Sequence, residues 1–69
     1  MKKAKKYIIE EHWNGCTIRK ETSGEKFPVW LARVYRGRAE WVTDYTHARD
    51  YSPRGARLTV ARLLGGEIE

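Results

Sequence analysis

Cysteine is nearly absent from this 69-residue chain: Cys16 stands alone, so no internal disulfide can form, and the sequence reads as the product of a reducing compartment. A zinc site has too few soft ligands. His12 and His47 are the only histidines and fit no metal-binding spacing with Cys16. No apolar run approaches the roughly 18 residues of a membrane span, and Met1-Lys2-Lys3 is not followed by the apolar stretch of a secretory signal, so a soluble cytoplasmic protein is expected. Gly-rich phosphate loops and paired carboxylates at catalytic spacing are missing too. With no cofactor motif, the expected class is non-enzymatic. A chain this short holds a single core and no second domain.

What the chain has in quantity is positive charge. Fourteen Lys and Arg stand against nine Asp and Glu, a net charge of +5, which points to a polyanionic partner. Lys2, Lys3, Lys5 and Lys6 fall in a six-residue opening stretch too polar to bury, expected to be a disordered basic tail over 1–6. Each of those lysines can neutralise a phosphate and release a counterion.

From Tyr7 the patterning becomes that of an α+β domain spanning 7–69. Tyr7, Ile9 and Trp13 recur with period two and predict a strand over 7–13. Asn14-Gly15 is a hairpin signal, since both residues tolerate the positive φ of a two-residue turn, and it predicts a return strand over 16–21. That turn pairs His12 with Thr17 and Glu10 with Arg19, and sets His12 and Cys16 on opposite faces. A catalytic Cys–His pair is thereby disfavoured. Thr22 to Glu25 reads as a loop.

Pro28 opens a strand predicted over 29–35, and Arg36-Gly37 turns it into a partner over 38–43. With a two-residue loop, Val34 faces Ala39, Ala32 faces Trp41 and Trp30 faces Thr43, an almost wholly apolar face. The other face reads Leu31, Arg33, Tyr35, Arg38, Glu40 and Val42. Tyr51-Ser52-Pro53 announces a helix over 53–64, with Ser52 as N-cap and Pro53 at the first helical position. Ala56, Val60, Leu63 and Leu64 form its apolar stripe, and Gly65-Gly66 ends it. The expectation is an antiparallel sheet of three to four strands closed by one C-terminal helix, packed on Trp30, Ala32, Val34 and Trp41.

Three groups of cations are candidates for nucleic-acid contact. Arg33, Tyr35 and Arg38, with Arg36 at the turn, present guanidinium forks and an aromatic ring on one hairpin face. Such a ribbon fits the major groove of duplex DNA. Arg33 can equally pair with Glu40 across the strands. Arg49, Arg54, Arg57 and Arg62 flank and line the helix, and Arg54 and Arg57 lie near its start, where backbone amides favour an anion. The lysines of the tail are the third group. The aromatic content, three Trp and four Tyr, exceeds what so small a core absorbs, so Trp13, Tyr35 and Tyr45 are expected partly outside, where they suit a protein interface.

The run Val29-Trp30-Leu31-Ala32-Arg33-Val34-Tyr35-Arg36-Gly37-Arg38, followed by Ala48-Arg49-Asp50-Tyr51-Ser52 and the helical Ala56, resembles the arm-binding domains of tyrosine integrases and the plant GCC-box-binding domain. The resemblance covers about residues 29 to 64; the N-terminal hairpin and Glu40 depart from it. It implies that the outer face of a three-stranded sheet lies in the major groove and that Arg33, Tyr35, Arg36 and Arg38 contact DNA. The chain also looks like small accessory proteins of phages and mobile elements. That implies a regulatory or accessory factor binding double-stranded DNA or, alternatively, an inhibitor of a host protein, as anti-CRISPR proteins are.

Overall fold

The computed structural model describes residues 6–21 and 27–68. Strands β1 (Lys6–His12), β2 (Gly15–Glu21), β3 (Val29–Tyr35) and β4 (Arg38–Val42) form one antiparallel sheet in the order β1-β2-β3-β4. A 3-10 turn, Tyr45–His47, and the helix α1, Pro53–Leu64, complete the α+β fold among the described residues. Lys6, expected in the tail, is the first residue of β1 and pairs with Glu21. Lys2, Lys3, Lys5 and the loop 22–25 lie outside the described residues.

The helix begins and ends where its punctuation says it should. The Ser52 hydroxyl accepts a hydrogen bond from the Gly55 amide at 3.0 Å, satisfying one of the first-turn donors. At the other end the Gly66 and Glu67 amides donate to the Leu63 and Arg62 carbonyls, at 3.4 and 3.0 Å, closing the last turn around Gly66 at a φ of +82°. Ala56 and Leu63 are buried against Cys16, Ile18, Leu31 and Ile68, while Tyr7, Ile9, Val34, Ala39, Trp41, Tyr51 and Val60 pack around them.

The first hairpin departs from expectation in register. His12 pairs with Gly15, Glu11 with Cys16 and Glu10 with Thr17, so the loop is Trp13-Asn14 rather than Asn14-Gly15. The reason lies at Gly15, where φ is +145°. A Cβ there would sit 3.1 Å from the Tyr51 carbonyl oxygen and 3.2 Å from the Asp50 Cβ. Glycine is used for that close approach, and Cys16 and Tyr51 exchange both backbone hydrogen bonds beside it, each 2.7 Å. A slip of two residues leaves every side chain on its expected face. Trp13 moves into the turn and is 97% exposed.

The second hairpin corrects the expected core face. Tyr35–Arg38, Val34–Ala39 and Arg33–Glu40 pair as a two-residue loop demands, but the register then shifts so that Leu31 faces Trp41 and Trp30 faces Val42. Ala32 is the extra residue of a β-bulge. The bulge turns Leu31 inward, where it is fully buried, and turns Trp30 to the opposite face. The helix packs over β2 and β1, and Leu31, with Val34 and Trp41 beside it, joins that core in place of Trp30 and Ala32. Beyond the bulge β3 leaves β2: these strands pair only at Arg19–Trp30 and Lys20–Val29, and the segment before the helix fills the gap through Cys16–Tyr51 and Arg49 N–H to Leu31 C=O at 3.0 Å.

Candidate nucleic-acid interface

Alternation along β3 and β4 places Arg33, Tyr35, Arg38 and Glu40 on the sheet face away from the helix, because Val34 and Ala39 between them pack on the core. Tyr35 lies directly opposite Arg38, and Arg33 opposite Glu40. The hairpin ends in Arg36-Gly37, both with positive φ, +53° and +76°, as the twist-matched two-residue turn requires. Glycine meets this demand freely, whereas an arginine in the left-handed region costs about 1–2 kcal/mol. The side chain at the tip is thus held there against a local preference, and such positions cluster at functional sites.

Around Tyr35 the guanidinium carbons of Arg33 and Arg36 each lie 5.3 Å from the ring centroid. Each contact contributes about 0.5–1 kcal/mol at such an exposed site and orders a flexible side chain beside the ring. Tyr35 is 54% exposed, so part of the ring stays in contact with solvent beside the two guanidiniums. Arg33 Nε donates to Glu40 Oε2 at 2.6 Å, the cross-strand pair foreseen as the competing role for Arg33. Both side chains are more than half exposed, and pairs of this kind contribute about 0–1 kcal/mol. An incoming anion can displace Glu40 at small cost. Arg33, Arg36 and Arg38 against Glu40 leave the patch a formal charge of +2.

The rest of this outer face is closed. The Glu10 carboxylate accepts from Trp30 Nε1 at 2.9 Å and from Arg19 Nε at 3.2 Å, which ties β1, β2 and β3 together. Tyr45 from the 3-10 turn stands edge-on to both His12 and Trp30, with centroids 5.2 and 5.6 Å away. Beneath it His12 Nε2 and Thr17 Oγ1 are 3.0 Å apart, and Thr17 is buried. Asp44 starts the turn: its carboxylate accepts from the Thr46 hydroxyl and amide, which hold its pKa below the usual carboxylate value, with His47 adding a weaker pull. The Glu10–Arg19 ion pair expected from direct opposition is made diagonally instead, since Glu10 lies opposite Thr17 and Arg19 opposite Ile8; the parts played by Trp30 and Tyr45 were missed.

The remaining candidates do not join the patch. Arg54 and Arg57 project from the solvent side of α1, on the other layer of the domain from Arg33 and Arg38. Lys6 belongs to β1, two strands away from β3, and starts a strand that ends near the hairpin tips; it sits at the opposite corner of the sheet. A single contact surface built from all these residues is therefore not what the fold presents. Cys16 lies in the core and His12 on the outer face, so they do not meet. Among the described residues no three His, Cys, Asp or Glu side chains gather as a metal site would need, and no helix is long and apolar enough to cross a membrane.

No protein-family model matches this chain, and no curated protein or solved structure matches it either. The functional reading rests on the chain's own geometry.

Proposed function

We propose that this protein is a non-enzymatic nucleic-acid-binding module that engages duplex DNA through the outer face of the β3–β4 hairpin. Arg36 and Arg38 serve as the primary phosphate contacts, Arg33 joins them when Glu40 is displaced, and Tyr35 stacks on a sugar or base. The observation that carries the reading is the Arg33–Tyr35–Arg36 cluster on the β3–β4 hairpin, where cations and an exposed ring coincide. A two-stranded ribbon is of a size to enter the major groove. Phosphate contact by three arginines gives a slope of log affinity against log salt of about −2.7, or about a 40-fold loss for a fourfold rise in salt.

Titration of a labelled duplex at low and at physiological salt tests this. Salt-dependent binding that weakens when Arg38 is replaced by alanine supports it; no binding at low salt, or binding indifferent to salt, removes it. A second reading, capture of a partner protein, is favoured by the exposure of Trp13 and Phe27, 97% and 70%. A pull-down that survives nuclease treatment separates the two.

A further inference from the structure

The solvent face of α1 is charged in one sign only. Pro53–Leu64 carries Arg54, Arg57 and Arg62 and no carboxylate, and among the described residues none of these guanidiniums is ion-paired. At 100° per residue the exposed positions occupy one continuous arc, in the order Leu64, Arg57, Ala61, Arg54, Leu58 and Arg62. Leu58 stands one turn from Arg54 and one turn from Arg62, and is 59% exposed; Leu64, at the other margin, is 65% exposed. The core claims neither leucine: Ala56 and Leu63 are buried and Val60 partly so, while Leu64, expected in the apolar stripe, lies outside it. An arc alternating guanidinium and leucine is amphipathic within itself.

We infer that this helix face is a second docking surface, for a partner protein that presents carboxylates beside an apolar strip. The chemistry selects that class. Phosphate backbone would meet the arginines but leave Leu58 and Leu64 facing charge and water, with no apolar surface to bury them. A carboxylate-flanked apolar strip satisfies both: carboxylates take bidentate hydrogen bonds from Arg54, Arg57 and Arg62, and the leucines are withdrawn from water. The face lies on the layer opposite Arg33, Tyr35 and Arg38, so a straight duplex on the sheet leaves it free. The inference does not rest on the nucleic-acid reading.

The test uses the full chain, isotopically labelled, with three probes: an amphipathic peptide of glutamate and leucine at helical spacing, poly-L-glutamate, and anionic lipid vesicles. The peptide is expected to shift the amides of Arg54, Arg57, Leu58, Ala61 and Arg62 and to bind at least about tenfold more tightly than polyglutamate, the gain from burying leucine. Leu58→Gln should remove about tenfold of that affinity while leaving the melting temperature unchanged, since the side chain is exposed. Equal binding of polyglutamate, shifts confined to residues 33–40, vesicle binding without peptide binding, or an unaffected Leu58→Gln variant would each overturn it. A duplex titration on the same sample reports separately on the sheet face, so either surface can fail without the other.

Discussion

Replacing Leu31 by alanine tests the bulged register directly. Leu31 is fully buried among Cys16, Ile18, Ala56 and Leu63 because Ala32 is the extra residue that turns it inward. Truncating a leucine so placed costs about 2–5 kcal/mol, from lost transfer energy plus the cavity left behind. A core of this size supplies only about 3–5 kcal/mol in all. The variant should therefore lose most of its stability and melt at least about 8 °C lower, at about 4–8 °C per kcal/mol for a domain of this length. Urea and thermal melts followed by circular dichroism measure both. Arg38→Ala, on the same hairpin, exposed and in none of the ion pairs among the described residues, is the control and should stay within about 0.5 kcal/mol of the parent. In an unbulged hairpin Leu31 would face water, and its truncation would cost as little as that of Arg38. A melt of Leu31→Ala indistinguishable from the control would refute the packing described.

Three further outcomes follow from the contacts. Ser52→Ala removes the acceptor for the Gly55 amide and should cost about 1 kcal/mol, read as a lower urea midpoint. Trp30→Phe keeps the edge-on packing with Tyr45 but deletes the N–H that reaches Glu10; a loss of about 1–2 kcal/mol is expected in the same melt, and no loss would show that the bond is not made in solution. Burial raises the phenol pKa of Tyr7 and of Tyr51, where Arg49 partly offsets it. The folded values then lie above the unfolded ones, so the contribution is intact below pH about 10 and is lost as pH climbs through the folded values. Tyr7→Phe should flatten that alkaline loss in urea midpoints taken on either side of pH about 10.

Element boundaries were written locally and could be read locally. Pro28 marks the start of β3, Ser52-Pro53 the start of α1 and Gly65-Gly66 its end, because each signal acts on its own few residues. Facing within β3 was not legible, since strict alternation leaves no place for an extra residue. Trp30 and Leu31 are both apolar, and only the pairing partners decide which turns inward: a carboxylate at Glu10 and a ring at Tyr45 receive Trp30, and a space against Ile18 receives Leu31. Gly15 misled for a related reason. Its freedom in φ serves a close approach by Asp50 and Tyr51, far along the chain, rather than the turn beside it. In the candidate interface, Arg33, Tyr35, Arg36 and Arg38 were legible because they lie beyond the bulge, where simple alternation holds. The separation of Arg54 and Arg57 from them depends on which sheet face the helix covers.

The most direct measurement of the central claim is the salt dependence of duplex affinity for the parent chain and for the Arg36→Ala, Arg38→Ala double variant. Loss of two phosphate contacts should reduce the log–log slope by about 2 and weaken binding across duplex sequences, while the variant stays folded, since both side chains are exposed. An unchanged slope in a folded double variant would contradict the assignment of this hairpin face as the surface that meets nucleic acid.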